Sequence, residues 1–200
     1  MTPSYDHWLK QSVSAITSSR FQSYRGEHDV KISKFDDNTP VWDMFQKCLL
    51  MTETPYYLIV GADDQLSPHY LSVCMAGFDN PDKVAAVSTK VTLQDRHNHI
   101  IGRDSHFSAG VWNTKIAKEM GGYQEPKNGR KWGCASDLVN RAIASGYSVR
   151  MMDAYLYYAT IWYGSVSKSE DKNLEEKISK LVQNKVNPDS VSLGGVHNDA

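Results

Sequence analysis

The stretch YYLIVGADDQLSPHYL, residues 56–71, gives the clearest indication of fold in this 200-residue chain. Residues 56–60 are too uniformly apolar for a strand with one solvent-exposed face, and they predict a buried central strand. The run ends at Gly61, and Asp63 and Asp64 then stand side by side. Two like charges at one strand end repel each other unless water, a cation or a cationic partner neutralises them. The pair is therefore either a solvated turn or half of a metal site.

Helix start and stop signals recur on both sides of this stretch. Thr39 is a candidate N-cap with Pro40 at the first helical position, and Gly121 and Gly146 are typical helix stops. The spacing of apolar residues completes the pattern. It predicts helices over about residues 6–18, 40–50, 68–77, 113–121, 136–146 and 168–187.

Strand-like segments alternate with these helices. They are predicted at residues 29–35, 56–60, 83–93, 147–152 and 155–163, and residues 94–106 are predicted to be a polar loop. Such alternation predicts an α/β sheet covered on both faces. Ligands of such sheets bind at the carboxyl ends of the strands, which is where Asp63 and Asp64 lie.

Composition excludes several functional classes. A net charge of −1 gives no electrostatic case for general binding to nucleic acid or to anionic membranes. No apolar run approaches the roughly 20 residues that a transmembrane helix needs, and no signal-peptide core follows Met1. Cys48, Cys74 and Cys134 are far apart and predict reduced packing cysteines in a cytoplasmic protein.

Three groups of polar residues are candidates for chemistry. Asp63 and Asp64 offer the carboxylate oxygens that Mg²⁺ or Mn²⁺ prefers. Asp137 falls in the first turn of a predicted helix, where it is either a cap or, in its ionised form, a general base toward a hydroxyl. His97 and His99 flank Asn98 without a cysteine or acidic ligand at a recognisable zinc spacing.

Five motifs in order then suggest a family. They are TPSYDHWLKQSVSAI (2–16), YYLIVGADDQLSPHYL (56–71), EMGGYQEP (119–126), SDLVNRAIASGYSV (136–149) and YLYYATIWYGSVS (155–167). Together they resemble the inverting glycosyltransferases of family 2, which have the nucleotide-diphospho-sugar transferase (GT-A) fold. The resemblance covers about residues 2–167. It implies a mixed, mostly parallel sheet flanked by helices. The first strand of the family is expected to be missing from this sequence, since Met1 directly precedes the first motif, so that either the chain has been trimmed or the protein lacks this strand.

The resemblance also implies a mechanism, and it places a glycosyltransferase-like domain at residues 1–167. The apolar stripe of residues 168–187 predicts a docking helix, and residues 188–200 have little to bury and are expected to be a disordered tail. Asp63 and Asp64 would hold Mg²⁺ or Mn²⁺ against the diphosphate of a nucleotide-sugar donor, with a UDP-sugar favoured. Asp137 would deprotonate the acceptor hydroxyl. Pro3, Tyr5, Asp36 and Asp37 would border the nucleoside, and Trp132, Gly122 and Ser136 would contact the sugar or the acceptor.

The chain departs from the family at three positions. Gly61 stands where the family usually has the first Asp of Asp-x-Asp, Ser136 where a Glu precedes the catalytic Asp, and Trp162 near a His that many members carry. Two alternatives therefore stay open. One is a non-catalytic relative that binds a nucleotide sugar or a glycan, and the other is a nucleotidyltransferase on a related fold.

Overall fold

Six strands form one mixed sheet in the computed structural model, which describes residues 13, 15–20, 22–36, 39–105, 107, 109–127 and 133–161. The strands are β1 (Tyr56–Tyr57), β2 (Gln65–Leu66), β3 (Val84–Gln94), β4 (Ile100–Asp104), β5 (Gly110–Asn113) and β6 (Ser148–Thr160). The helices are α1 (Val41–Leu50), α2 (Tyr70–Ala76), α3 (Thr114–Glu119) and α4 (Cys134–Ala144). Residues 15–20 are also helical. The predicted helix at 168–187 and the tail after it lie outside the described residues.

The sheet is α/β in class, as predicted, but the predicted mostly parallel arrangement is wrong. The strand order is β1-β5-β3-β6-β2, and β4 pairs with the carboxyl-terminal half of β3. Of these pairings only β3 with β6 is parallel. A parallel pair needs a long crossover, which α3 and α4 provide between β3 and β6. The short loop between β3 and β4 instead folds the chain back as an antiparallel hairpin.

The prediction of a buried central strand at residues 56–60 is also wrong. Strand β1 has two residues and lies at one end of the described strand order, and residues 58–60 have no regular secondary structure. Their apolar character has a different cause. Leu58 and Val60 pack against one hydrophobic cluster, and Ile59 packs against the other. Side chains on both sides of a connecting segment thus produce the pattern expected of a strand buried on both faces.

Three other secondary-structure predictions need correction. Residues 29–35 have no regular secondary structure, and Ile32 is 68% exposed. Alternating apolar residues form a strand only when a neighbouring strand accepts their backbone hydrogen bonds, and none pairs with this segment among the described residues. The predicted polar loop at 94–106 contains β4, which pairs with β3. The two predicted late strands are one strand, β6, whose register against β3 shifts near Met152 and Tyr155.

The helices predicted over residues 40–50, 68–77, 113–121 and 136–146 are confirmed, with small shifts of their ends. Most of the helix predicted over residues 6–18 lies outside the described residues, which are helical at 13 and 15–18. Helix α1 begins one residue later than predicted, since Pro40 occupies the cap position. The side chain of Asn113 accepts a hydrogen bond from the backbone N–H of Ile116 at 3.2 Å and caps α3. Helix α4 is followed by Gly146 at φ +86°, which lets the chain reverse into β6.

Helices cover both faces of the sheet. On one face, Tyr70 and Cys74 of α2 pack with Val87 and Val91 of β3. On the other, α1, α3 and α4 contribute Leu49, Ile116 and Leu138, which pack with Ala85, Ala86 and Trp112. This arrangement leaves the carboxyl ends of β3 and β6 together at one edge.

The three cysteines are free thiols in or beside the core. Cys74 and Cys134 are buried and Cys48 is half-buried, and all three are free thiols. Burial raises the pKa of the Cys74 thiol to about 12 and that of Cys134 to about 11, so both are inert packing groups at neutral pH. In the described part of the chain, no helix has the length and apolar character required to cross a bilayer.

Replacing Gly122 with alanine should destabilise the protein markedly. Gly122 has φ +66°, and a Cβ there would collide with Gln46 and come within 2.9 Å of Leu49 Cδ2. We expect Gly122→Ala to lower the free energy of unfolding by about 2–5 kcal/mol in a urea titration. The matched control is Gly146→Ala, because Gly146 has a similar φ of +86° but nothing within 4 Å. It should lose only about 1–2 kcal/mol. Equal losses in the two variants would contradict the packing role of Gly122.

Candidate functional site

The aspartate pair lies in a turn over residues 61–64 that Gly61 makes possible. The backbone N–H of Asp64 donates to the carbonyl of Gly61 at 3.1 Å and closes the turn. A Cβ on Gly61 would lie 2.9 Å from Asp64 Oδ2 and 3.1 Å from Asp63 Oδ1. Both carboxylates therefore face the same point above the glycine. A side chain at position 61 would occupy the space on which they converge.

The end of β6 holds this turn in place. The buried phenol of Tyr157 donates to Asp64 Oδ2 at 2.6 Å, and the backbone N–H of Thr160 donates to Asp64 Oδ1 at 2.9 Å. Thr160 Oγ1 also donates to the backbone carbonyl of Asp63 at 2.5 Å. Both aspartates are thus held by the last residues of β6, Asp64 through its carboxylate and Asp63 through its backbone carbonyl. Sequence reasoning did not identify Tyr157 or Thr160 as part of this site.

Electrostatics at the turn disfavour two negative charges. Burial, and then the neighbouring charge of Asp63, raises the pKa of Asp64 to about 7, and the hydrogen bonds from Tyr157 and Thr160 offset only part of the rise. Burial, and then the charge of Asp64, also raises the pKa of Tyr157, so the phenol remains a donor. A cation at this point would relieve the repulsion and favour the ionised form of Asp64.

The residues fit a hard divalent cation only in part. Among the described residues, no group of three or more His, Cys, Asp and Glu side chains is arranged to hold a metal ion. Asp63 and Asp64 could supply two carboxylates. A Mg²⁺ site in nucleotide enzymes commonly has one or two carboxylates, with phosphate oxygens and water completing the coordination. The space over Gly61, toward which both carboxylates point, suits that type of site.

Asp137 lies in the first turn of α4, as predicted, and it forms an ion pair. Arg141 Nε donates to Asp137 Oδ2 at 2.7 Å, and both side chains are partly exposed. The other guanidinium nitrogens of Arg141 donate to the backbone carbonyls of Met120 and Gly122. Asp137 therefore orients the arginine that holds the Gly121-Gly122 turn. Leu138 and Ala142 of α4 pack in the same hydrophobic cluster as Val149 of β6.

The remaining predicted site residues are in several places. Gly122 is buried against Gln46 and Leu49, and Ser136 is half-buried on α4 beside Asp137. Asp36 is exposed in the turn before α1, where its carbonyl accepts from Thr39 N at 2.9 Å. The others lie outside the described residues, namely Pro3, Tyr5, Asp37, Trp132 and Trp162.

An open cleft of about 670 Å³ lies elsewhere, beside the amino end of β1. Tyr56, Asn113 and Lys115 are among its lining residues, and Lys118 Nζ on its wall donates to the carbonyl of Thr52 at 2.8 Å. None of the predicted site residues lines this cleft. The aspartate turn and this cleft therefore lie in different parts of the protein.

Comparison with known proteins does not identify a function for this chain. No protein-family model matches the chain, and no curated protein matches it significantly. The aspartate turn and the Asp137–Arg141 pair are thus the observations from which a function can be proposed.

The carboxyl of Asp64 should make stability depend on pH. In the folded protein it keeps its proton up to about pH 7, whereas its ordinary pKa is 3.8. The folded state binds more protons between these values, so the stability that this carboxyl contributes is full below about pH 4 and is lost as the pH rises to about 7. We expect the free energy of unfolding, from urea titrations without divalent cations, to fall by roughly 2–4 kcal/mol over this range.

Asp64→Asn should remove most of this decline, because an amide does not titrate and can still accept from Thr160 N. Asp36→Asn is the control, since Asp36 is exposed, and it should keep the wild-type pH dependence. An Asp64→Asn protein that loses stability as steeply as the wild type would show that another group causes the decline.

Proposed function

We propose that the protein is a cytoplasmic inverting glycosyltransferase of the family 2 type, with a GT-A-like fold. The single observation that carries the proposal is the turn at residues 61–64, where the carboxylates of Asp63 and Asp64 converge over Gly61. The turn lies against the carboxyl end of β6, beside the parallel strand β3. Ligand sites of α/β sheets occur at such ends. The motif order from residue 2 to residue 167 supports the same class.

Asp63 and Asp64 would hold Mg²⁺ or Mn²⁺ together with the diphosphate of a nucleotide-sugar donor, for which a UDP-sugar is favoured. The ion would supply positive charge to neutralise the diphosphate. The protein's own contribution is positioning, because Tyr157 and Thr160 fix Asp64 from β6. Gly61 stands where the family has a carboxylate, and its missing side chain leaves the space that the ion and the diphosphate would share.

Asp137 would act as the general base. In the proposed reaction, an acceptor hydroxyl oxygen attacks the anomeric carbon and gives its proton to Asp137. The bond from that carbon to the diphosphate breaks, its electron pair leaves with the phosphate oxygen, and the configuration inverts. Arg141 bonds to Oδ2 of Asp137 and so fixes the orientation of the carboxylate. Ser136 and Trp132, with Gly122 in the turn that Arg141 holds, would border the sugar or the acceptor.

At the other end of the donor, four residues would border the nucleoside: Pro3, Tyr5, Asp36 and Asp37. Of these, Asp36 is described, and its exposed position before α1 leaves its carboxylate accessible to a ribose hydroxyl. These assignments rest on the motif positions alone.

A second candidate function is a non-catalytic module that binds a nucleotide sugar. The observation in its favour is the 2.7 Å ion pair between Asp137 and Arg141, since a carboxylate that serves to orient an arginine need not be a base. The absence of a carboxylate at Gly61 is consistent with weaker metal binding. This module would bind a donor without turning it over.

Removing one carboxylate of the pair should weaken metal-dependent donor binding. We expect Asp63→Asn to raise the Kd of UDP in the presence of Mn²⁺ at least about tenfold, measured by isothermal titration calorimetry. Asp36→Asn tests the nucleoside assignment in the same assay and should raise the Kd to a similar extent with and without Mn²⁺. Exposed Asp82→Asn is the matched control and should bind as the wild type does. Unchanged Mn²⁺-dependent binding in Asp63→Asn would remove the aspartate pair from the donor site.

Asp137→Asn should separate the two candidate functions. For an enzyme, we expect transfer to fall by at least about a hundredfold while the Kd of UDP stays within about threefold. The measurement is a nucleotide-sugar donor screen with product detection by mass spectrometry. Donor binding by the wild type without hydrolysis or transfer would favour the binding module. Release of pyrophosphate from a nucleoside triphosphate would instead indicate a nucleotidyltransferase.

A further inference from the structure

The tip of the β3–β4 hairpin contains a carboxylate–histidine pair that the reaction described above does not use. Asp95 is 6% exposed and accepts three hydrogen bonds, from His97 N at 2.8 Å, His99 N at 2.9 Å and His99 Nδ1 at 2.9 Å. Burial raises the pKa of Asp95, but the hydrogen bonds from His99 and His97 outweigh it and leave the pKa below its ordinary value. An ionised carboxylate therefore holds one ring nitrogen of His99.

This pairing fixes how His99 can interact with a ligand. A carboxylate that accepts from Nδ1–H sets the tautomer and the ring orientation, so the reactive edge of the ring is Nε2. The side chain of His99 is 59% exposed, although its partner Asp95 is nearly buried. His97, whose ring is 6.1 Å from that of His99, is held differently, because Arg96 Nε lies 3.3 Å from its Nε2.

Two sets of hydrogen bonds fasten the hairpin tip to the aspartate turn. Gln94 directly precedes Asp95, and its Nε2 donates at 3.2 Å to Thr160 Oγ1, which in turn donates to the carbonyl of Asp63. Gln65 directly follows Asp64, and its Nε2 donates to Asn98 Oδ1 at 3.2 Å. The hairpin tip is therefore tied to Asp63 through Thr160 and to Gln65, the residue that follows the turn.

We propose that His99, oriented by Asp95, is a binding residue for the diphosphate of the donor next to the Asp63–Asp64 turn. The inference rests on the proposed function and deepens it. In the proposed complex the ring carries a proton on each nitrogen, with Nδ1–H donating to Asp95 and Nε2–H donating to a phosphate oxygen in a charge-assisted hydrogen bond, while Asp63 and Asp64 would hold the metal. Asp95 is a positioning residue, since it acts only through His99. As the bond from the sugar breaks, the same hydrogen bond stabilises the charge that collects on the leaving phosphate.

The test compares three variants in one buffer. His99→Gln removes the imidazole donor, Asp95→Asn releases the ring, and His97→Gln is the matched control on the same hairpin tip. Calorimetry measures the Kd of UDP with Mn²⁺ and the Kd of inorganic pyrophosphate. We expect both values to rise about tenfold in His99→Gln, less in Asp95→Asn, and less than twofold in His97→Gln. In Asp95→Asn, the ring ¹⁵N chemical shifts of His99 should change while the circular dichroism spectrum of the protein stays the same. If Asp95 only supported the fold, the spectrum would change as well.

Each outcome decides between the inference and the proposed function. UDP binding that His99→Gln leaves unchanged would overturn the role of His99 and leave the glycosyltransferase proposal standing. Pyrophosphate binding that depends on His99, with no binding of UDP, would support the anion site and count against a nucleotide-sugar donor. Failure of the wild type to bind either probe would overturn both.

Discussion

The parallel pairing of β3 with β6 is the constraint on which the rest of the site depends. It is the longest pairing in the described sheet, and it places Gln94 and Thr160 opposite each other at one edge. Because Thr160 and Tyr157 lie near the end of β6, their hydrogen bonds bring the carboxylate of Asp64 to that edge. The hairpin tip that follows Gln94 is brought to the same edge.

The aspartate turn combines this rigid support with unfavourable electrostatics. Burial and like charge both oppose the ionisation of Asp64, and the two hydrogen bonds from β6 do not cancel them. Strongly perturbed carboxyls of this kind cluster at functional sites, although structural networks also produce them. Arg141 shows the contrasting case. Its ion pair with Asp137 already has a structural role, because Arg141 also holds the glycine turn at Gly122, and any chemical role of Asp137 would be a second one.

Much of the local structure could be predicted from the sequence because its causes are local. Helix ends follow from Pro40, from the Asn113 cap and from Gly146, each of which acts on residues within one turn. The aspartate pair could be identified as a candidate site because it follows an apolar run and lies within an ordered series of motifs. Gly61 could be recognised as a departure from the motif that the sequence resembles. The sequence could not show that the two carboxylates converge over it.

The described helices, the long strand β3 and the acidic character of the candidate site follow from the local sequence, since they depend on neighbouring residues. Which strands pair, and in which direction, depends on the tertiary fold, because a strand's apolar pattern does not record its partner. Residues 58–60 show this, as their side chains contact two core clusters without any strand pairing. Asp64 receives its hydrogen bonds from Tyr157 and Thr160, more than 90 residues away. Contacts over that separation arise from the folded sheet, so no local pattern could have predicted them.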